Sequence, residues 1–291
     1  MSETVKVGLL VSSNGTYQDM GRSTLAGLRN AITEINEDPA FEFTIVPEEQ
    51  DPRGELNAYA GCLDRLIESG AKHIFGTTTS ASRKEIIPDL ERANRMLWYS
   101  CPYEGYECSE NVLYLGGCPN QNLLPLMQHA IANFGARACR VGSNYVWGWE
   151  SNRIAREIVE TAAGEVITEK YYRFGDTGFD TLIETIIRDR PGFVLNNLVG
   201  QSSYHFLRQL SAACLKKGIR IPVLSCNFTE SELPRIHAAD SIRPLSCGAF
   251  FESVPPPSVA KSRALHTRTP SPHNATAAHT PKHSIAQARP R

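Results

Sequence analysis

Short apolar runs alternate with amphipathic segments over most of this 291-residue chain. Residues 5–11 form the first apolar run, and a run of this length bounded by polar residues is typical of a buried strand. The following segment carries apolar residues at helical spacing, namely Leu25, Leu28, Ile32 and Ile35. The first predicted elements are therefore a strand and a helix, and this order repeats downstream.

The repeated pattern predicts a parallel α/β fold in two parts. Further strands are predicted near residues 41–46, 73–76, 96–99, 112–115, 138–142, 166–171, 193–198, 222–226 and 247–251. Helical patterns lie between most of these strands, and such alternation indicates parallel sheets covered by helices on both faces. We therefore predict two doubly wound lobes around a central cleft, the first over residues 1–118 and the second over residues 119–253.

Residues 254–291 have a different composition. They contain seven of the 18 prolines, four of the eight histidines and six basic residues, but no acidic residue. The few apolar residues show no period, so we predict that this segment is disordered and not native to the fold. A histidine-rich metal site is the alternative, but prolines interrupt two of the three intervals between the histidines, and we predict no metal site.

Charge and cysteine content exclude several classes of protein. Residues 1–253 hold 24 basic and 31 acidic residues, so their net charge of −7 does not favour binding to nucleic acid. No apolar run approaches the roughly 20 residues that cross a bilayer. The eight cysteines form no C-x-x-C pair, which argues against a zinc site or a dense disulfide framework. Reduced thiols and the absence of a visible leader favour a cytoplasmic protein, with a periplasmic location as the alternative.

Candidate binding residues follow the predicted strands. In open parallel sheets, ligands bind beyond the carboxyl ends of the strands, where helix N-termini present free N–H groups. Residues 77–82, TTTSAS, follow the strand near 73–76 and carry five hydroxyl groups, of which a helix cap explains one. We predict that Ser80 holds a carbonyl or carboxylate oxygen of a ligand. Arg83 and Lys84 are interpreted as solvated charges of the helix that follows.

Aromatic residues are concentrated in two further loops of this kind. Residues 98–107, WYSCPYEGYE, follow another strand, and Pro102 fixes its own φ and restricts Cys101 to extended geometry. We therefore predict that this segment forms a rigid wall of a binding site. Residues 143–152, SNYVWGWESN, place Tyr145, Trp147 and Trp149 on one side of an irregular loop before a helix capped around Ser151.

Phosphate chemistry and cofactors are not expected. The sequence contains no G-x-G-x-x-G after the first strand and no G-x-x-x-x-G-K-S/T. A catalytic alternative is a thiol amidase, because Cys101, Glu104 and Lys84 include the residue types that such enzymes use. No histidine lies near Cys101, and a small buried loop cysteine explains the residue as well. We therefore predict a protein that is not an enzyme and has no cofactor.

Several longer runs resemble a known family. GTTTSASRKEIIPDLERAN, WYSCPYEGYE, CPNQNLLPLM and GSNYVWGWESN are similar to the amide- and urea-binding branch of the type I periplasmic-binding-protein-like superfamily. The resemblance covers residues 5–251. It is greatest to the cytoplasmic amide sensor that regulates aliphatic amidase expression and to substrate-binding subunits of urea or short-chain amide transporters.

The resemblance implies a ligand site in the cleft between the lobes. On this basis Ser80 bonds the amide, and the other ligand-binding residues are Thr78, Tyr99, Cys101, Pro102, Tyr145, Trp147 and Thr229. Thr229 also stands at capping-box spacing from Glu232. Thr78, Cys101 and Trp147 depart from the amide sensor, which has an aromatic residue, a threonine and a tyrosine there. These departures leave urea, acetamide and larger amides open.

The resemblance also implies the function. We expect non-catalytic binding of a small amide or urea-like solute by a ligand sensor that regulates amidase expression, with a regulatory protein partner. The alternative is the substrate-binding component of an ABC transporter for urea, short-chain amides or branched-chain amino acids, with a membrane permease as partner. In the amino-acid case Glu230 supplies the carboxylate for the ammonium group. A homo-oligomer is also expected, and neither function involves nucleic acid.

Family members continue for roughly a hundred residues beyond the position where this chain changes composition near Val254. From the sequence we expect that the missing elements expose apolar faces and a sheet edge, which lowers stability and promotes aggregation. Gel filtration and a thermal melt test this expectation. A monomer with a cooperative melt would contradict it.

Overall fold

The computed structural model describes residues 3–236, 241–248, Phe251 and 284–287. Contacts within the chain divide it into two compact units, and the chain passes from the first to the second between Gly116 and Gly117. Over the described ranges, no helix combines the length and the apolar content needed to cross a membrane.

The first unit is a parallel sheet with helices packed on it. Its elements are β1 (Glu3–Leu10), α1 (Gln18–Glu37), β2 (Phe43–Gln50), α2 (Tyr59–Glu68), β3 (His73–Gly76), α3 (Ser80–Ala93), β4 (Met96–Tyr99) and β5 (Val112–Tyr114). The strand order is β2-β1-β3-β4-β5, and each neighbouring pair is parallel. Leu63 of α2 and Ile86 of α3 are buried with Ile74 of β3 in one core. This burial holds the two helices on the sheet.

The second unit repeats this arrangement. Its elements are α4 (Leu123–Phe134), β6 (Arg137–Ser143), α5 (Val146–Thr161), β7 (Glu165–Tyr172), α6 (Asp180–Asp189), β8 (Phe193–Asn197), α7 (Gln201–Lys217), β9 (Ile221–Ser225), β10 (Ile242–Gly248) and β11 (Ser284–Gln287). The order is β7-β6-β8-β9-β10 with all these neighbours parallel, and β11 is added antiparallel to β10. Apart from β11, each unit has the strand order second, first, third, fourth and fifth.

Helices cover both faces of the second sheet. On one face, Ile186 of α6 and Phe206 of α7 are buried in the same core as Ile242 of β10. Arg243, the next residue of β10, points to the opposite face of the sheet. Its guanidinium carbon lies 5.3 Å from the ring centre of Phe134, so α4 packs on that face. The predicted fold class, two parallel α/β lobes, is confirmed.

Two strands differ from their predicted positions. β2 extends beyond the predicted end, to Gln50. The prediction missed this part because Glu48 and Glu49 are exposed residues of an edge strand and give no apolar signal. β10 begins at Ile242, about five residues before the predicted start, which was missed because Arg243 and Pro244 interrupt the apolar pattern.

Most of segment 254–291, which we predicted to be disordered, lies outside the described residues. Its residues Ser284–Gln287 form β11, so the structure differs from the prediction at these four positions. Pairing from Leu245↔Gln287 to Gly248↔Ser284 supplies hydrogen-bond partners to the outer edge of β10. An unpaired edge strand exposes backbone N–H and C=O groups, which favour pairing with a further segment even where that segment has no apolar strand pattern.

Glycines allow two helices to approach the strand that precedes them. A Cβ atom at Gly21 of α1 would lie 1.8 Å from the backbone oxygen of Ser12, just after β1. In the second unit, a Cβ atom at Gly148 of α5 would lie 2.2 Å from the backbone oxygen of Ser143 at the end of β6. Neither contact leaves room for a methyl group, so these glycines set the spacing between helix and strand end.

We expect Gly21→Ala to lower the free energy of unfolding by about 2 kcal/mol or more, because the methyl group must displace backbone. Gly61→Ala in α2 is the matched control, since its Cβ would meet only a flexible Arg65 nitrogen at 3.9 Å. That control should raise stability by up to about 1 kcal/mol through helix propensity. Unfolding in guanidinium chloride, followed by circular dichroism, measures both. Equal midpoints for the two variants would contradict the account of Gly21.

Candidate functional site

Two strand ends of the first unit carry most of the predicted site. β3 and β4 are neighbouring parallel strands, so the loops that follow them leave the same edge of the sheet. The structure places five predicted residues at this edge, namely Thr78, Ser80, Tyr99, Cys101 and Pro102. The sequence prediction that these two loops lie together therefore agrees with the geometry of the unit.

The hydroxyl-rich segment forms a capping box at the start of α3. The Thr79 hydroxyl oxygen accepts the backbone N–H of Ser82 at 3.2 Å, and the Ser82 hydroxyl oxygen accepts the backbone N–H of Thr79 at 3.2 Å. These two hydroxyls stabilise the helix start. Thr78 and Ser80 are left outside the cap and are 7% and 2% exposed. Ser80 is the first residue of α3, so it lies beside backbone N–H groups that have no acceptor within the helix.

The second loop is tied to the first through Tyr99 and Cys101. The Tyr99 hydroxyl donates to the backbone oxygens of Thr78 at 3.4 Å and Pro102 at 3.3 Å. The Cys101 thiol donates to the backbone oxygen of Thr77 at 3.6 Å. Burial raises the pKa of the Cys101 thiol to about 12, against a smaller lowering by Arg83. The thiol is therefore protonated at neutral pH and serves as a packing and donor group.

Arg83 is not a solvated helix charge, and that interpretation is wrong. Its side chain is fully buried, with Nη2 donating to Glu104 Oε2 at 2.9 Å and Nε donating to Glu107 Oε1 at 2.5 Å. Its Nη1 donates to the Ser80 hydroxyl at 3.4 Å. Lys84 is partly exposed, as expected, but it also pairs with Glu107. One sequence signal pointed to burial, because Arg83 stands three residues before buried Ile86 on the same helical face.

Aromatic rings enclose the Arg83 guanidinium. Its central carbon lies 4.6 Å from the ring centre of Tyr99, and 5.7 Å from the ring centres of both Tyr103 and Tyr114. Tyr103 and Tyr114 stack on each other at 4.6 Å. Cation–π contacts of this kind are most favourable away from water. Residues of WYSCPYEGYE thus pack around the buried arginine, and their role as a rigid wall of the ligand site stays a prediction.

Glu107 is held in its charged form. Burial alone raises the pKa of this carboxyl, but hydrogen bonds from Arg83 and Lys84 outweigh burial, and the pKa lies below its ordinary value. The Tyr114 hydroxyl also donates to Glu107 Oε1, at 2.9 Å. Glu104 and Glu107 therefore brace the loop after β4. From the sequence, Glu104 was named only for the catalytic alternative, and Glu107 was not selected.

In the second unit, Tyr145 and Trp147 lie at the carboxyl end of β6. Tyr145 is the N-cap residue of α5, and Trp147 is the second residue of the helix. Both are buried, and the ring centre of Tyr145 lies 5.0 Å from that of Phe174, which the sequence analysis did not select. Among the described residues, the Trp147 indole N–H has no hydrogen-bond partner.

The irregular loop predicted around these aromatics is instead the first turn of α5, which begins at Val146 and not near Ser151. Residues two apart on a helix face different directions. Trp149 is 47% exposed, and its indole N–H donates to Asn144 Oδ1 at 3.0 Å. Trp147 and Trp149 therefore do not share one side, as the alternation suggested. The glycine between them, Gly148, is the residue that brings α5 against β6.

Thr229 and Glu232 form one half of the capping box that their spacing predicted, because the Glu232 N–H bonds the backbone oxygen of Thr229 and not its hydroxyl. Glu232 Oε2 accepts both the backbone N–H and the hydroxyl of Thr229, each at 2.8 Å. Glu232 Oε1 accepts the Tyr204 hydroxyl at 2.9 Å. The Thr229 hydroxyl is thus committed to the helix start, and its contact with a ligand stays a prediction.

Buried amides link the strand ends of the second unit. Asn197, the last residue of β8, donates its side-chain N–H to Asn152 Oδ1 of α5 at 2.9 Å. The backbone N–H of Val199 donates to the Ser143 hydroxyl at 3.1 Å. These uncharged contacts fix α5 against β6 and β8, and with it the position of Trp147. In the described part of the chain, no group of three or more His, Cys, Asp or Glu residues is suited to hold a metal ion.

Comparison with solved structures shows the fold. The chain is similar to an ABC transporter solute-binding protein of R. palustris in complex with 4-hydroxybenzoate, with TM-score 0.83, 19% identity, and coverage of 95% of this chain and 78% of that one. It is similar to a branched-chain amino acid transporter substrate-binding protein of Streptococcus pneumoniae in complex with isoleucine, with TM-score 0.81, 17% identity, and coverage of 95% and 80%. A leucine-binding protein of Thermotoga maritima gives TM-score 0.77, 16% identity, and coverage of 94% and 79%.

A comparison with family models extends this result from the fold to the family. The model described as periplasmic binding protein domain matches residues 5–282, which is most of the chain. The match includes both parallel sheets and the strand-end loops described above. The chain belongs to the periplasmic binding protein family.

Proposed function

We propose that this protein binds a small neutral amide or urea-like solute without chemistry, as the ligand sensor of a system that regulates amidase expression. The observation that carries the proposal is the edge formed by Thr78, Ser80 and Tyr99, where hydroxyl and backbone groups surround the start of α3. An amide offers one strong acceptor and two donors and needs no counter-ion. The amide-branch sequence runs 77–82 and 98–107 are the segments that build this edge.

The second unit holds two of the predicted ligand-binding aromatics. Tyr145 and Trp147 are positioned by the close approach of Gly148 to β6 and by the Asn197–Asn152 bond. We propose that these rings contact the solute, and that the Trp147 indole N–H donates to one of its oxygens. Preorganised aromatic surface binds small solutes at low entropic cost.

A transporter component is the second candidate, and the structural neighbours favour it. The neighbours named above are solute-binding proteins of transporters, whose structures hold 4-hydroxybenzoate and isoleucine. In this alternative the protein is periplasmic and delivers urea, a short-chain amide or a branched-chain amino acid to a permease. Half-buried Glu230, in the short helix Glu230–Ile236, is the carboxylate proposed for an amino-acid ammonium group.

The amidase alternative finds no support in the surroundings of Cys101. A thiol nucleophile acts as its thiolate and needs a lowered pKa. Burial instead raises the pKa of Cys101 to about 12. Membership of a family of binding proteins agrees with a role that involves no catalysis.

Titration calorimetry with acetamide, urea, butyramide and leucine tests the proposal. We expect an amide or urea to bind, and Ser80→Ala to weaken that binding by about tenfold, the cost of one hydrogen bond to a buried polar group. Thr33→Ala is the control, because the exposed Thr33 hydroxyl bonds only the backbone of its own helix. Binding of leucine alone would overturn the amide assignment. Unchanged binding in Ser80→Ala would place the site elsewhere.

Alkylation by N-ethylmaleimide tests the state of Cys101. Its pKa is raised, so the thiolate is a minor species at every pH below about 12, and only a small fraction forms at pH 8. We expect exposed Cys108 to react at least a hundredfold faster than Cys101 in the native protein. Peptide mass spectrometry over a time course measures the two rates. Rapid labelling of Cys101, with ammonia release from acetamide that is lost in Cys101→Ala, would instead support the enzyme.

A further inference from the structure

The charge beside Ser80 is neutralised by two carboxylates. Arg83 is completely buried and bonds Glu104 on one side and Glu107 on the other. Glu104 is 5% exposed, whereas the Glu107 side chain is 13% exposed and also pairs with Lys84. The four groups together carry no net charge. A buried cation without such partners is strongly unfavourable, so the carboxylates are a condition for the arginine to be there.

One guanidinium connects Glu104 to Ser80. Arg83 donates Nη2 to Glu104 at 2.9 Å and Nη1 to the Ser80 hydroxyl at 3.4 Å. A ligand head group that binds at Ser80 is therefore next to the Arg83 guanidinium, which itself bonds the Glu104 carboxylate. In a buried environment, charges at such short range interact strongly because water does not screen them.

We propose that Glu104 is a specificity-determining residue, which makes the Ser80 site select a neutral amide over the matching carboxylate. This inference rests on the proposed binding of the solute head group at Ser80. With Glu104 present, the positive charge of Arg83 is already compensated and offers a ligand carboxylate no net attraction. The second oxygen of Glu104, Oε1, is buried and has no hydrogen-bond partner among the described residues. An anionic ligand at Ser80 therefore adds a negative charge beside a guanidinium whose charge the Glu104 carboxylate already balances.

Pairs of amide and carboxylate ligands distinguish a charge effect of Glu104 from a purely structural role. A brace affects binding of an amide and of its carboxylate alike, because both have the same shape. A charge effect changes their ratio. The two readouts differ in any pair of ligands that exchange a neutral amide group for a carboxylate.

Titration calorimetry on the full chain with acetamide and acetate, propionamide and propionate, and benzamide and benzoate measures this ratio. We expect the unmodified protein to prefer the amide of at least one pair. Glu104→Gln removes the charge but keeps the shape, and should shift the ratio of affinities towards the carboxylate on the order of tenfold or more. Glu110→Gln is the matched control, since Glu110 is an exposed carboxylate of the same loop, and the ratio should stay unchanged.

The double variant Arg83→Gln with Glu104→Gln removes both charges and should restore the amide preference. If Glu104→Gln does not fold, as judged by circular dichroism, Glu107→Gln takes its place, because it also adds one net positive charge beside Arg83. A shift in the same direction supports the proposal.

An unchanged ratio in the folded Glu104→Gln variant, or in Glu107→Gln if the former is unfolded, overturns the role of Glu104 and leaves the proposed amide binding intact. A carboxylate preference of the unmodified protein overturns both. Failure of all six compounds to bind the unmodified protein overturns the selection of amide over carboxylate, whereas binding of urea or butyramide in the titration described above would keep the proposed function.

Discussion

The strand ends of the first unit depend on one buried cation. The Arg83 guanidinium contacts no solvent, and it gathers two carboxylates, one serine hydroxyl and three tyrosine rings around itself. Removing one partner from such a cluster leaves an uncompensated charge, which is far more costly than never burying the charge. The loop after β4 is therefore held in a single arrangement relative to the start of α3. The hydrogen bond from Arg83 also positions the hydroxyl of Ser80.

In the second unit, uncharged groups link the strand ends, while within β6 the buried Arg140 pairs with Glu169 and donates to the backbone oxygen of Asn152. Asn197 and Asn152 bond each other between β8 and α5, and Ser143 receives the N–H of Val199. Buried amides also need hydrogen-bond partners, but they bring no net charge to the strand ends.

Much of the fold was predictable from the sequence, because strands buried on both faces give continuous apolar runs. β3 and β4 were predicted at their observed positions, and the edge strand β2 was not, since Glu48 and Glu49 carry no apolar signal. Thr78, Ser80, Tyr99, Cys101 and Pro102 were brought together by the rule that ligands bind at strand ends. Arg83 was misinterpreted because a charged residue at a helix start is usually solvated. Its burial depends on Glu104 and Glu107, which lie more than 20 residues away, and such tertiary pairing has no local signature.

The two glycine contacts have a consequence for how a protein of this architecture can diverge. Gly21 and Gly148 leave no room for a single added carbon between a helix and the backbone of the preceding strand end. The frame of each unit is thus restricted at a few backbone atoms, whereas the strand-end loops are held by contacts between side chains, such as those of Arg83. Two neighbours that share this fold at 19% and 17% identity hold 4-hydroxybenzoate and isoleucine, which are chemically different ligands. New ligand preferences can therefore arise by exchange of loop side chains while the sheet register stays in place, which makes recognition the variable property of the molecule and its backbone spacing the constant one.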